Sequence, residues 1–461
     1  MSLLLVLALL LWAEPPPART LLDERPIFGG VPSGEPTPDV LALTLPDAID
    51  RGLQRNLGLL LGEQRIRAAE GARWEALSEL LPHLSFHVSE TRQKLSLEAF
   101  GFTGLAALPG LATIVGPFNV FDTRAHMTET VFDFGSFEKI RAEKARVEAA
   151  RRSYQDLRDL VILLSASLYM QAVAEESRID AARAQLETAQ ALHQLALDRK
   201  QAGLVPALDV LRAEVALAAR EQETIAADAR FAKSKLTLAR AIGLPLGQRF
   251  RLADRMAYSP EPALSIEDAL KTAYASRSDW KAGEARLRAA EAARRSARGE
   301  QLPSLDVWGD YGVLGATAGS ARATYTLGAA IRVPLFDGGK TIGKVRQADA
   351  VLVAERAGLE DLRARVRYEV ESAALDVKAA QERVGVAERT VRLAGNQLEQ
   401  ARDRFQAGVA SNIDVVQAQE SLAAATESYI ASLYEHNVAK AALARALGTA
   451  EAGYKKRLRG E

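Results

Sequence analysis

The chain is predicted to be a mixed α and membrane-β protein: mostly long coiled-coil helices, with four strands per chain, built as two copies of one unit. Three observations predict this. Sequence blocks recur in order at nearly constant offsets. Two proline-free stretches of nearly 70 residues carry heptad spacing. Short runs alternate apolar and polar side chains.

The first element is an address segment. Residues 3–12 read LLLVLALLLW, ten apolar residues that suit a signal-peptide core and are too short to span a bilayer. A signal peptide over 1–13 is therefore expected, although only the Met1 amine supplies its positive end; a buried N-terminal helix is the other reading. Beyond residue 13 no run of about 18 apolar residues occurs, so no transmembrane helix is expected. Residues 14–42, rich in Pro and Gly, read as an extended N-terminal segment.

Two repeats follow, 43–243 and 264–448, separated by a linker at 244–263 and closed by a basic tail at 449–461. Residues 43–49 match 264–270, and 79–84 match 300–305, both at an offset of 221. Phe132-Asp133-Phe134-Gly135 matches Phe336-Asp337-Gly338-Gly339 at 204. Gln201-Ala202-Gly203 matches Gln406-Ala407-Gly408, and 239–243 match 444–448, both at 205. The one large length change falls between Leu84 and Phe132, where a loop tolerates it.

Each repeat has the same order. Thr44 with Asp47, and Ser265 with Asp268, read as N-caps with an acid three residues on. A helix of about 36 residues is expected after each, ended by Pro82 and Pro303 at the strand starts. The runs 84–91 and 305–313 alternate with the same parity; 324–333 alternates cleanly and its partner 121–128 less so. Such runs, apolar on one face and polar on the other, are what a membrane barrel requires, and a soluble sandwich would show them too. Residues 93–117 read as a long, rather apolar loop, and Trp308 falls on the polar-face parity of its strand.

Long helices over 136–202 and 340–407 could each reach roughly 100 Å at 1.5 Å per residue. In the second copy, Val366, Val370, Ala373, Val377, Ala380, Val384, Ala387, Val391, Ala394, Leu398, Ala401 and Phe405 form a heptad seam narrow enough for close helix approach. The first copy carries Val161, Leu168, Ala172, Ile179, Ala182, Leu186 and Ala189, interrupted by Ser165, Glu175 and His193. A helix of about 35 residues closes each copy, after Pro206 and after Asn412.

Four strands cannot close a barrel, and an open edge in lipid leaves backbone groups unpaired at several kcal/mol each. A membrane reading thus demands association: two, three or four chains give 8, 12 or 16 strands.

This order of helix, hairpin, long helix, Gly turn and Asp-Val helix resembles the TolC family of outer-membrane efflux proteins over roughly residues 43–448. The turns Gln201-Ala202-Gly203-Leu204-Val205-Pro206-Ala207-Leu208-Asp209-Val210 and Gln406-Ala407-Gly408-Val409-Ala410-Ser411-Asn412-Ile413-Asp414-Val415 resemble the family's helix tips. Phe132, Asp133 and Gly135, with Phe336, Asp337 and Gly339, resemble its barrel-to-helix joints. The resemblance implies a homotrimer with a 12-stranded outer-membrane barrel continued by a 12-helix periplasmic tunnel. It also implies that Gly203, Leu204, Val205, Pro206, Asp209, Gly408, Val409, Ser411, Asn412 and Asp414 meet a periplasmic adaptor and constrict the pore at rest. Gly203 and Gly408 suit a left-handed helix end, and Asp209 and Asp414 suit caps of the helices that follow. Some members shut the gate with charged pairs near the second tip; here Ala410 and Gln417 stand there, and Arg212 lies near the first tip.

Composition narrows the chemistry. The 461 residues are 48% hydrophobic and 26% charged, a globular balance. Lys+Arg 59 equals Asp+Glu 59, so no net positive field supports a nucleic-acid partner. The absence of Cys excludes disulfides, Cys-ligated metals, a thiol nucleophile and an N-terminal lipid on cysteine. Five His make a His-based active site or metal site an unsupported reading. Gly339-Lys340-Thr341 mimics the end of a P-loop, but the leading Gly position, 334, is Pro. His83 and His87 read as lumen-facing strand positions rather than metal ligands. No catalytic, cofactor or metal residue is expected, and no enzyme. The reading is a passive exit duct of an efflux or type I secretion system, driven by an inner-membrane pump through the adaptor. The alternative is a soluble coiled-coil scaffold with a small β domain.

Overall fold

The computed structural model describes residues 26–97, 99, 101, 114–245, 247–262 and 264–454. The expected signal peptide (1–13) and the basic run 455–459 lie outside the described residues. In chain order the elements begin with β1 (Leu41–Leu43), α1 (Leu45–Arg55), α2 (Leu57–Ser78), β2 (His83–Ser96) and β3 (Ile114–Phe132). Then come α3 (Phe134–Gln201), α4 (Ala207–Ala241), β4 (Phe250–Leu252), α5 (Ile266–Ser276) and α6 (Ser278–Gly299). The chain continues with β5 (Ser304–Gly315), β6 (Arg322–Arg332), α7 (Lys340–Gln406), α8 (Asn412–Ala446) and α9 (Ala450–Tyr454).

The chain divides into two compact units. One comprises Met1–Gln64, Ser153–Asp279 and Arg363–Glu461; the other comprises Arg65–Arg152 and Trp280–Leu362. In the first unit the core forms around a two-stranded parallel ribbon, β1 with β4, that pairs Leu41 with Phe250 and Leu43 with Leu252. Leu43, Tyr169, Ala172, Val173, Leu238, Ile242, Leu244, Phe250 and Leu252 pack there as one buried cluster. The segment expected as a linker, 244–263, therefore supplies a strand and three core side chains. The Asp254 carboxylate accepts from the Leu45 amide at 2.7 Å and the Tyr169 hydroxyl at 2.8 Å. Burial and this carboxylate push the Tyr169 phenol above its ordinary range.

That cluster also explains a difference from the sequence reading. A window of α3 is long and apolar enough to cross a membrane by composition. Its apolar residues Val161, Ile162, Ala166, Tyr169, Ala172, Val173 and Ala174 are buried against the rest of this unit. Further along, the α7 seam is buried: Val366, Val370, Ala373, Val377, Ala380, Val384, Ala387, Ala394, Leu398 and Phe405, with Val391 and Ala401 half-buried. In α3 the buried line runs from Ala189 to Leu192 and Ala196, leaving His193 half-buried beside it.

The expected 36-residue helices are each broken in two. At Asn56 the backbone turns extended (ψ 128°), and at Arg277 it does the same (ψ 125°). Each break lets a buried polar side chain satisfy groups that a continuous helix would carry out of reach. The Asn56 amide donates to the Ile27 carbonyl at 2.6 Å and its oxygen accepts from the Gly58 amide at 2.9 Å. The Arg277 guanidinium, 1% exposed, clasps Asp279 at 2.7 and 3.0 Å, meets Glu369 at 2.6 Å and donates to the Ala446 carbonyl at 3.2 Å. A buried arginine persists because every face of it is paired.

Other boundaries also differ. Thr44 and Asp47 form a reciprocal capping box, but Ser265 makes no side-chain cap bond. Helices α2 and α6 stop at Ser78 and Gly299, short of Pro82 and Pro303, because the next residues tighten into three-residue turns: Leu81 N to Ser78 O at 3.0 Å and Leu302 N to Gly299 O at 2.9 Å. The prolines directly precede β2 and β5, where a proline biases its predecessor toward extended backbone. The expected tail begins with a docked helix: Arg158 grips Glu451 at 2.9 and 3.1 Å, and Asp159 accepts from the Glu451 amide at 3.2 Å.

Beside that dock, Asp156 pairs with Arg445 while burial raises its carboxyl to about 6. Between the ordinary carboxylate range and that value, the folded chain holds a proton the unfolded chain has released. Stability from this group is full at low pH and is lost as pH rises through 6. Relative to Asp156→Asn, the parent chain should therefore lose about 2–3 kcal/mol between pH 4 and pH 7, read by denaturant unfolding across that range.

Candidate functional site

The second unit holds a four-stranded antiparallel sheet in the order β2-β3-β5-β6. Its register sorts side chains by parity into two unlike faces. Successive rows on one face are Leu84–Met127–Gly309–Leu327, Phe86–Ala125–Tyr311–Tyr325 and Val88–Thr123–Val313–Ala323. Leu84, Phe86, Tyr311, Tyr325, Leu327 and Ile331 on this face are 67–78% exposed. Contiguous exposure of large apolar groups marks a surface meant for lipid or a partner. The rows between them are His83–Thr128–Trp308–Gly328, Ser85–His126–Asp310–Thr326 and His87–Arg124–Gly312–Thr324.

The polar face is stitched by charge. Arg124 bonds Asp122 at 2.6 Å and Asp310 at 3.1 Å. Asp306 accepts from Thr130 at 2.9 Å and pairs with Arg332 at 3.0 Å. Trp308 has its place here for a packing reason. Its indole lies over Gly328 in the adjacent strand, where a Cβ would come within 2.5 Å of the ring. The strands run well into the stretch expected as a loop: β2 reaches Ser96 and β3 starts at Ile114, while 98, 100 and 102–113 lie outside the described residues. Strands β2 and β6 each pair on one side only among the described residues.

The joints follow the strands. At the first, Phe132 ends β3, and Asp133 accepts from the Gly135 amide at 2.9 Å and the Ser136 hydroxyl at 2.7 Å. At the second, Phe336 is exposed, and Asp337 accepts from the Gly339 amide at 3.0 Å and the Thr341 amide at 2.8 Å. The bonds from Thr341 hold the Asp337 carboxyl below its usual range. Both aspartates thus satisfy free amides at the start of a long helix. Gly339-Lys340-Thr341 belongs to this cap.

The tips lie in the first unit. Gly203 (φ 73°) and Gly408 (φ 77°) take the left-handed conformation that ends α3 and α7. Leu204 N bonds Arg199 O at 2.9 Å and Val409 N bonds Arg404 O at 3.0 Å, the six-to-one bond of a Schellman end. The helices that follow start differently. At α8 the Asp414 carboxylate accepts from the Ser411 amide at 2.9 Å and the Ser411 hydroxyl at 3.0 Å. At α4 the capping position is Pro206, which has no N–H to reciprocate, and Asp209 does not cap; it pairs with Arg212 at 3.4 Å.

Two side chains tie the tips together. The Arg199 guanidinium donates to the Phe405 and Gln406 carbonyls and stacks 4.6 Å over the Phe405 ring. Asn412, 1% exposed, donates to the Asp209 carbonyl at 3.0 Å. Arg199 escaped sequence reasoning because its offset partner, Arg404, is an exposed residue of the same type. Around the turns, Leu204, Val205, Val409 and Ala410 point outward or are half-buried; Val205 and Ala410 are the half-buried pair.

A four-stranded sheet with an apolar outer face, joined through capped aspartates to helices of 68 and 67 residues, defines the class of outer-membrane channel folds. Comparison agrees. The chain is similar to the outer-membrane channel OprN (TM-score 0.77, 22% identity, covering 88% of this chain and 90% of that one). It is similar also to the outer membrane protein VceC of Vibrio cholerae (TM-score 0.76, 21% identity, covering 88% and 96%). In sequence it is 26% identical over 396 residues to the pyoverdine export outer membrane protein OpmQ of Pseudomonas putida, covering 83% of this chain and 81% of that protein. The model of the family described as outer membrane efflux protein matches residues 48–244 and 269–449. The chain belongs to the outer membrane efflux protein family, and its place is the outer membrane.

The turn geometry makes a test with opposite signs. Gly408→Ala puts a Cβ on a left-handed residue and should cost about 1 kcal/mol. Gly395→Ala, inside α7 with open space around its Cβ position, should stabilise by about 1 kcal/mol, both read by denaturant unfolding.

Proposed function

We propose that this protein is the outer-membrane exit duct of a tripartite efflux or type I secretion system. It passes cargo passively, with no covalent chemistry. The observation that carries the reading is the sheet: an exposed apolar face opposite a polar, ion-paired face, with edges β2 and β6 unpaired in the described chain. Lipid suits the first face, water the second, and a strand from another chain the edges. Three copies joined through β2 and β6 give a 12-stranded homotrimeric barrel, with the long helices forming a periplasmic tunnel.

The duplicated architecture is part of this proposal. It is supported by helix breaks at Asn56 and Arg277, Asp-capped joints at 133 and 337, and left-handed glycines at 203 and 408, each pair at the offset of its sequence block. Two repeats, 43–243 and 264–448, account for them.

The tips are proposed to meet a periplasmic adaptor and, through it, an inner-membrane pump. Exposed Leu204, Leu208, Leu211, Val409 and Ile413 offer that contact an apolar surface. Arg199 is proposed as the internal lock of the resting tips, since it holds the last carbonyls of α7 from α3. A soluble scaffold, the rival reading, would leave the apolar sheet face in water.

Membranes washed with carbonate should retain the protein, and detergent should release it; release by carbonate alone would favour the scaffold. In planar bilayers the purified protein should give discrete pore events of low conductance. Arg199→Ala should raise that conductance severalfold while Arg404→Ala leaves it unchanged; equal effects would remove Arg199 from the gate.

A further inference from the structure

Glu175 interrupts the apolar seam of α3, and neither the joints nor the tips use it. It lines a cleft of about 560 Å³ between α3, α4 and α8, where the small side chains of Ala181, Ala182 and Ala423 leave room between the helices. The Glu175 side chain is 8% exposed. Its Oε1 accepts from Arg178 at 2.9 Å. Its Oε2 has no hydrogen-bond donor among the described residues; Arg230 Nε stands 3.7 Å away, beyond hydrogen-bond distance. A buried acceptor in this state is costly until a donor reaches it.

The charges of the cleft are balanced in number but not in place. Three glutamates and three arginines line it. Arg178 also holds both oxygens of Glu427 at 3.0 Å, and Arg230 holds Glu223 at 2.9 Å. The Glu175 end thus has three carboxylates to two guanidinium groups and is one positive charge short. Arg220 stands at the other end. It donates to the neutral Gln185 at 3.3 Å and has no ion pair among the described residues; Glu223, one turn away on α4, is turned to Arg230 instead. Gln185 and Glu175 are ten residues apart on α3, about 15 Å. Water could donate to Glu175, but it carries no charge and leaves both ends unbalanced. A metal ion has no cage: among the described residues, no group of three or more His, Cys, Asp or Glu could hold one.

We propose that this cleft is a binding site for an elongated zwitterion, whose ammonium donates to Glu175 Oε2 and whose carboxylate accepts from Arg220. A short peptide with free termini has this chemistry, since three or four residues span about 10–14 Å when extended. Both contacts are charge-assisted, the stronger class of hydrogen bond. The rim residues Glu223, Arg230 and Glu427 are between 47 and 56% exposed, so the cleft is open to a solute. The inference is independent of the channel reading.

Isothermal titration of the detergent-solubilised full chain with tetra-alanine tests it. The free peptide should bind saturably, with a Kd of about 1 mM or tighter. Acetylating its amine or amidating its carboxylate should each weaken binding about tenfold. Glu175→Gln should weaken the free peptide as much and make acetylation of no further consequence; Arg220→Gln should do the same for amidation. The capped peptides probe the parent chain itself, so they decide the question if a variant fails to assemble. The proposal is overturned if the free peptide shows no saturable binding, if the capped peptides bind the parent as well as the free one does, or if the folded variants bind the free peptide as the parent does.

Discussion

The constraint on which the rest depends is the sheet's unsatisfied surface. Its apolar face exposes Leu84, Phe86, Tyr311, Tyr325 and Leu327, and among the described residues its edge strands β2 and β6 have no strand beyond them. In water the apolar face is costly, at about 25 cal/mol per Å². In lipid that cost disappears, but an unpaired N–H or C=O then costs several kcal/mol. An environment that is lipid on one side and strand at each edge would relieve both costs, which is the physical basis of the barrel proposed above. The ion pairs of the opposite face fit the same logic: Arg124 with Asp122 and Asp310, and Arg332 with Asp306, need a wet surface.

The helical part is built on a different economy of shape. The α7 seam alternates valine with alanine, so it is narrow and lets neighbouring helices approach closely. Several polar side chains here fix geometry. Asn56 and Arg277 redirect the chain at a helix break and are fully bonded in doing so. Asp133 and Asp337 turn a strand into a helix by accepting its first free amides. Each of these sites spends a polar group on direction rather than on binding.

Much of this was legible in the sequence, for physical reasons. Period-two alternation set the strands, and the heptad spacing from Val366 to Phe405 set the seam, because both are imposed residue by residue along the chain. The Gly203 and Gly408 turns were legible because only glycine enters the left-handed region cheaply. What escaped depends on remote partners. Asn56 reads as an ordinary helical residue until Ile27 is placed beside it. Arg277 reads as a surface arginine until Asp279, Glu369 and the Ala446 carbonyl surround it. Strand β4 was hidden because three residues show no period, and the extensions of β2 and β3 were hidden by the apolar, Gly-containing stretch between them.

The two tips show how similar turns can be held by different means. Beyond Gly408, helix α8 supplies its own start: the Asp414 carboxylate accepts from the Ser411 amide and hydroxyl within four residues. Beyond Gly203, Pro206 forbids that arrangement, and α4 begins without a side-chain cap. What steadies the first tip is therefore borrowed from the second: Asn412 donates to the Asp209 carbonyl, and Arg199 holds the carbonyls of Phe405 and Gln406. A self-sufficient turn can move as a rigid piece, whereas a turn held from outside moves only when those bonds break. The tips are consequently coupled, and the coupling runs through two side chains, one buried between them and one stacked on Phe405. Any displacement of α3 and α4 relative to α7 and α8 at this end must first exchange those bonds for water or for another protein.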